Sequence, residues 1–494
     1  MNSFQRKSLY AALAGVGALG VTGAADAVNV NPNGLGQALI YPYYTVNADA
    51  AGNAYNSLLS VVNTTNSAKA VKVRFLEGKN SREVLDFNLF LSKYDVWTAA
   101  IIPLTNGGAG VTTKDQSCTI PDKSFLTFPS IVEFVNFAYV GSSDDKGGAG
   151  LDRTKEGYVE IIEMATYATD TSTSIAVTHV AGVPDCGQKF SFSDAQAATD
   201  SQSASGGLFG GLSLINVGAG TDYTEDAVAL QRFNRGPLYQ PAGSVSPQLT
   251  DSAPKTSVVF AAEPNKLFFP SDLGVYVSRW PTPLYFAADA VSAVLMHDRV
   301  MNEFVLDAGT KSGTDWVLTF PTKRFYVNVG TGSAPKLFQR NFNATAGACD
   351  DVVLNIYDRE ERTTSTPVTF SPPPPTSTTS ICWEANIITF NNSNVLASKN
   401  VANINTGFEN GWLKLGFTRV TSSPYHTLGN VTNTTHVFSP SFISTGLTKT
   451  YLGLPVVGFA VQSFTNGTLV VGGTSVLANY GGNFVQKATT VIIN

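Results

Sequence analysis

The sequence predicts an all-β protein of two or more antiparallel, immunoglobulin-like β-sandwich domains, with one short helix and long loops. Three observations carry that prediction. Short runs rich in Val, Ile, Tyr, Phe and Thr recur with period-two alternation and turn residues between them. Charged residues make up only 14% of the chain, while Gly, Ser, Thr and Asn are abundant, a composition that suits an extended, sheet-rich extracellular protein. Only one stretch keeps a helical period.

Before the first strand comes a secretory signal. Arg6 and Lys7 form a positive start, Leu9 to Val21 is apolar and uncharged, and Ala25-Asp26-Ala27 supplies the small residues a signal peptidase reads. Residues 1–27 are expected to be removed, leaving a mature chain that begins at Val28. The apolar run is shorter than the ~20 residues of a spanning helix. The later stretch that comes nearest, Val291 to Val305, is interrupted by Asp298, Arg299 and Glu303. No transmembrane segment is expected after cleavage.

The remaining chain divides into three segments, at ~100–200 residues per domain. The first, 28–200, is a β-sandwich domain. It opens on the turn Asn31-Pro32-Asn33-Gly34 and carries strand-like runs at Ala38 to Thr45, Ser57 to Asn63, Val71 to Phe75, Val84 to Leu91, Trp97 to Ile102, Tyr158 to Tyr167 and Ser174 to Val183. Gly141 to Gly150 and Asp194 to Gly211 read as exposed loops. The second segment, 212–345, is β-rich, with strands at Leu212 to Val217, Ser257 to Ala262 and Gly274 to Val277. It also holds the helix candidate Asp289 to Phe304. The third, 346–494, is β-rich as well, with Ile387 to Phe390, Gly411 to Phe417 and Val456 to Phe464 as strands and Pro372 to Pro375 as a stiff extended loop. A faint internal echo sets Glu83-Val84-Leu85-Asp86, Asp95-Val96-Trp97 and Pro103 beside Val305-Leu306-Asp307, Asp315-Trp316-Val317 and Pro321. It suggests equivalent strand pairs in two similar sandwiches.

In an exported chain, the even count of Cys118, Cys186, Cys349 and Cys382 reads as disulfides. Of the three pairings four cysteines allow, Cys118–Cys186 and Cys349–Cys382 are favoured, because each closes a loop within one segment. Zinc is disfavoured, since no C-x-x-C pair occurs and no His lies close to a Cys. Without residues 1–27 the chain keeps 30 basic and 36 acidic residues, a net charge near −6. That gives no electrostatic footprint for nucleic acid.

Catalytic constellations are sparse. Of the four histidines His179, His297, His426 and His436, only His297 adjoins a carboxylate, Asp298. No nucleophile elbow, zinc-protease helix or phosphate loop occurs, and Gly206 to Gly211 lacks the Lys of a phosphate cradle. Asp144-Asp145 and Asp350-Asp351 read as turn residues, with calcium as their alternative use, and no metal ligand is named. Asp358-Arg359-Glu360-Glu361-Arg362 reads as a solvated strand end. Tyr41-Pro42-Tyr43-Tyr44 is expected to pack a core, with a sugar-stacking platform as the minor alternative. The chain is therefore expected not to be an enzyme and to need no cofactor.

A set of blocks spread along the chain resembles a known family. They include Tyr41-Pro42-Tyr43-Tyr44-Thr45, Lys72-Val73-Arg74-Phe75-Leu76-Glu77, Asn80-Ser81-Arg82-Glu83-Val84-Leu85-Asp86-Phe87-Asn88 and Tyr94-Asp95-Val96-Trp97-Thr98. Thr314-Asp315-Trp316-Val317, Thr319-Phe320-Pro321-Thr322-Lys323-Arg324, Gly453-Leu454-Pro455-Val456-Val457-Gly458-Phe459 and Ala478-Asn479-Tyr480-Gly481-Gly482 extend the set. Together they are similar to a family of secreted proteobacterial proteins, mostly uncharacterised and described as cell-surface or surface-layer-like. The resemblance implies a surface location and no catalytic residue. The expectation is a secreted structural protein of the cell surface whose partners are copies of itself or outer-membrane components. An adhesin or carbohydrate-binding module is the alternative, and a secreted hydrolase ranks last.

Overall fold

The structure, a computed structural model, describes residues 27–187, 192–252, 255–262, 273–280, 288–328, 337–343, 346–363, 379–417, 426–439 and 442–493. Residues 1–26 of the expected signal and Pro372 to Pro375 lie outside the described residues. The fold is all-β and antiparallel apart from a few parallel contacts.

In the first half, ten strands build two facing sheets. They are β1 (Ala38–Thr45), β2 (Asn56–Asn63), β3 (Ala68–Glu77), β4 (Glu83–Leu91), β5 (Val96–Pro103), β6 (Ala109–Thr112), β7 (Glu156–Tyr167), β8 (Gly211–Asn216), β9 (Thr221–Asp226) and β10 (Val228–Gln231). Sheet one runs β10-β1-β7-β3-β4, with Asn29–Val30 and Cys118–Ile120 at its two edges. Sheet two runs β9-β8-β2-β5-β6 and ends on Val132–Glu133. Leu59 and Val61 of β2, Trp97 of β5 and Leu214 of β8 face Tyr41, Val73, Phe75 and Ile161 of sheet one in a single buried core. The alternation legible in the sequence is thus the inward and outward alternation of a sandwich. Pro42, which cannot donate to a ladder, sits where the β1–β7 register slips between Gly157 and Val159.

Sheet one is buried on both faces, and every residue of β3 and β7 is buried. Its charged side chains are consequently paired. Arg74 reaches Glu83 and Glu160 at 2.6 Å each, Lys72 reaches Asp86 at 2.9 Å, and Lys69 reaches Glu163 at 2.6 Å. Arg153 joins Glu77 at 2.9 Å to Asp145 at 2.8 Å. Desolvating such charges is costly, and each pair supplies the counter-charge that water no longer can.

The second half repeats this wiring. Its strands are β11 (Arg299–Val305), β12 (Ser312–Thr319), β13 (Asp350–Asp358), β14 (Ala385–Phe390), β15 (Val401–Ile404), β16 (Asn410–Gly416), β17 (Val457–Val471), β18 (Thr474–Val485) and β19 (Lys487–Thr489). Sheet three runs β19-β11-β16-β13 and ends on Thr379–Ile381, and sheet four runs β18-β17-β12-β14-β15. Taken in chain order, β11 to β19 match β1, β2, β3, β5, β6, β7, β8, β9 and β10. The neighbours are the same throughout, and only the β14–β15 pair, parallel where β5–β6 is antiparallel, departs from the match. Inward residues Trp316, Leu318, Ile388 and Ala460 of sheet four face Val300, Phe304, Leu413 and Leu415 of sheet three. A small closed barrel of Thr256–Ala262, Leu273–Arg279, Thr427–Ser439, Phe442–Leu452 and Val491–Ile493 completes the fold.

Several expectations need correction. The three segments do not coincide with the sheets: β8 to β10 complete the first sandwich, and position 345 falls inside the second, between β12 and β13. The helix expected over Asp289 to Phe304 ends early, as α3 (Asp289–Leu295), and β11 follows. Val300, Asn302 and Phe304 point inward with period two, and Phe304 satisfies both periods, so the whole run reads as helical. Ser174 to Val183 is not a strand. Thr171 caps α1 (Ser172–Val177) by accepting from the Ser174 N–H, and only His179–Val180 and Val183–Pro184 pair beyond it. Asp194 to Gly211 is not all exposed loop, because Ser193 caps α2 (Asp194–Asp200), which buries Ala197. Asp350-Asp351 opens β13 instead of a turn. The echo also chose the wrong partners: β11 and β12 correspond to β1 and β2, whereas Glu83 to Pro103 forms β4, whose counterpart beside β13 is the short strand Thr379–Ile381, and β5, which matches β14.

Candidate functional site

The cysteines are paired as Cys118–Cys186 and Cys349–Cys382, and none is free. Two disulfides fit an oxidising, exported environment. No helix among the described residues is long and apolar enough to cross a membrane.

The histidines do not converge with one another. His179 comes nearest to a catalytic grouping, with Ser92 Oγ 3.2 Å and Asp95 Oδ2 3.6 Å from its Nδ1. A nucleophile and an orienting acid must meet opposite ring nitrogens for the base to pass a proton between them. Here both meet the same nitrogen. Burial raises the Asp95 carboxyl, with His179 pulling it the other way. His297 meets Thr490 Oγ1 at 3.1 Å through Nδ1, and burial pushes it down to about 4, against the pull of Asp298. His426 is fully buried between the Phe417 carbonyl and Asp350 Oδ1, 3.1 Å away, so its two ring nitrogens both meet acceptors. The side chain of His436 lies outside the described residues.

The acidic pairs are engaged by cations. Asp144 pairs with Lys146, Asp145 with Arg153, and Asp350 with Lys323 at 3.1 Å; Asp351 accepts from Ser380 Oγ at 3.0 Å. Among the described residues no group of three or more His, Cys, Asp or Glu side chains could hold a metal ion. Asp358 to Arg362 forms local ion pairs at the end of β13. Gly206 donates its N–H to Glu163, so the glycine-rich stretch holds an internal carboxylate.

Aromatic side chains divide into two sets. Tyr41, Tyr43 and Tyr44 are buried in the first core, and Tyr43 OH donates to Glu156 at 2.7 Å. Trp412 is 39% exposed and stacks on Tyr357 at 4.6 Å on the outer face of sheet three, with Glu303 opposite it across the ladder. That pair, unlike the Tyr41 cluster, is a stacked aromatic surface open to a ligand.

The most extensive exposed feature is the outer face of sheet two. The outward positions of β2, β5 and β8 are Asn56, Leu58, Ser60, Val62, Val96, Thr98, Ala100, Ile102, Gly211, Ser213 and Ile215, and none carries a charge. Leu58, Val96 and Phe209 are 43%, 48% and 42% exposed, and a groove of about 770 Å³ runs over the face. At the margins of the same face β9 brings Asp222 and Asp226 and the Val132–Glu133 edge brings Glu133, and Lys114 and Asp226 line the groove, so an uncharged, partly apolar centre is rimmed by charge, as at an interaction site. No local sequence signal announces it, because the same alternation describes a sheet whose outer face is covered. No protein-family model matches this chain, and no curated protein and no solved structure matches it.

Proposed function

We propose that the chain is a secreted structural protein of the cell surface that assembles laterally with copies of itself. The observation that carries the reading is the exposed outer face of sheet two, uncharged across β2, β5 and β8 and rimmed by Asp222, Asp226 and Glu133, on a disulfide-stapled frame of two packed sandwiches. The family resemblance points the same way, and the only Ser–His–Asp grouping described lacks the geometry of a proton relay. Fractionation of cells, with protease added outside, tests the location. The chain should appear in the surface fraction and be clipped by external protease. Recovery only as a freely diffusing periplasmic monomer would overturn the proposal.

A second reading, an adhesin or carbohydrate binder, is favoured by the Trp412–Tyr357 stack with Glu303 and Lys414 beside it. Aromatic rings bind the apolar faces of sugars, and flanking polar groups orient the hydroxyls. On a glycan array, binding that disappears in Trp412→Ala while the unfolding midpoint holds would support it. An empty array would set it aside.

A further inference from the structure

We infer that copies of this chain join head to tail by repeating, between molecules, the contact that joins the two sandwiches within one molecule. The inference rests on the self-assembly reading above and specifies its geometry.

Within the chain, the outer face of sheet four closes the open side of the first sandwich between β1 and β9. Val317, Ile387, Phe459 and Val461 of that face are buried in the first sandwich's core. Thr319 Oγ1 donates to the Pro42 carbonyl at 2.6 Å, and Tyr55 OH donates to the Val395 carbonyl at 2.8 Å. Glu156 accepts from Ser398 Oγ at 2.6 Å and from the Lys399 N–H at 2.9 Å. Strand β9 lies over β18, where Asn479 donates to the Ala219 carbonyl at 2.7 Å and Asn483 bonds Thr224 and Glu225. The approach is close enough that a Cβ on Gly481 would stand 2.8 Å from the Tyr223 ring.

The repeated wiring defines a counterpart for each half of this contact. Sheet two is the counterpart of sheet four, and its outer face is the exposed one, uncharged across β2, β5 and β8 and edged by Asp222 and Asp226 of β9. The counterpart of the closed side lies between β11 and β18. Strand β10 pairs β1 only over Ala38–Ile40, and β19 pairs β11 only over Arg299–Met301, so each sandwich leaves the rest of that edge open. In the first sandwich Tyr223, opposite Leu214 on the inward face of β9, is 1% exposed because sheet four covers it. In the second sandwich Phe484 lies opposite Ala460 on the inward face of β18, with Tyr480 on the same face. Phe484 and Tyr480 are 38% and 58% exposed, because nothing among the described residues covers them.

Each molecule therefore presents one uncovered copy of each half of an interface that is already built inside it. The occupant that fits is a second copy, with sheet two of one molecule laid over the β11–β18 side of the next. A contact between two different surfaces leaves both ends free, so it propagates as a row.

The test uses the full exported chain with two variants, Thr98→Arg on the face and Phe484→Asp on the side, followed by sedimentation velocity over rising concentration. Wild type should form a ladder of oligomers, and each variant alone should remain monomeric with an unchanged unfolding midpoint. An equimolar mixture of the two variants should form dimers and nothing larger, because one intact face then meets one intact side. If either variant misfolds, Ala100→Lys or Tyr480→Asp replaces it. A wild type that assembles while both variants assemble equally well would overturn this contact and leave self-assembly standing. A wild type monomeric at every concentration, and also absent from the cell surface, would overturn both.

Discussion

At the scale of single residues, the interior of sheet one is held by charges that have lost water and gained partners. Arg74 sits between Glu83 and Glu160, and removing it strands two carboxylates in a buried layer. Arg74→Ala should therefore cost about 3–5 kcal/mol of unfolding free energy, measured by denaturant titration. A loss of under about 1 kcal/mol would show that the network is solvated. Buried acids without matching cations behave differently. Burial pushes Glu384 up to about 8 despite Lys323, and Asp289 up to about 7. Both carry a proton in the folded state at a pH where the unfolded chain has lost it. Their contribution is complete below the unfolded values near 4.5 and 3.8 and is lost as pH rises through the folded ones. Asp145, which the Arg153 and Asn80 bonds hold well below the ordinary range despite burial, acts only in stronger acid. The unfolding midpoint should fall between about pH 5 and about pH 8, and Glu384→Gln should shrink that fall. A midpoint that rises across the window would contradict the assignment. None of this was legible locally. Asp145 and Asp350 read as turn acids because their partners Arg153 and Lys323 lie outside any turn-sized window.

At the scale of elements, Val84 to Leu91 could be read from alternation and Ser57 to Asn63 and Trp97 to Ile102 as apolar runs, because one face of each meets the core between sheets one and two. Val71 to Phe75 was legible from its alternation although its strand is buried on both faces, because Lys72 and Arg74 are paired ions, whereas β1 was legible as an aromatic-rich run. Reading failed where a local device outweighed composition. The Thr171 side chain nucleates α1 from residues that otherwise favour strand, and β13 hides behind the acidic pair that opens it. The contact between sandwiches depends on one small residue that no pattern marks. Gly481→Val should force Tyr223 and the Asp222 backbone away from β18 and cost about 1–3 kcal/mol by overpacking. Thermal unfolding measures it, and an unchanged midpoint would show that β9 does not seat on β18.

At the scale of the whole molecule, the repeated strand order is what the sequence concealed most fully. The two halves share wiring without sharing a readable motif, and the one echo in the sequence aligned the wrong strands. The reason is physical. Inward positions need only be apolar and of fitting volume, so Leu59 and Trp97 in one half serve where Trp316 and Ile388 serve in the other. The proposed contact surface is also a property of the whole. Among the described residues the outer face of sheet two is exposed, whereas that of the equivalent sheet four is covered by the first sandwich. The most direct measurement of the central claim is electron cryotomography of cells that express the chain, beside cells that lack it. The account predicts a coat or rows of density on the outer surface that disappear when the chain is removed. Identical bare surfaces, with the chain present in cells only as dispersed monomer, would contradict it.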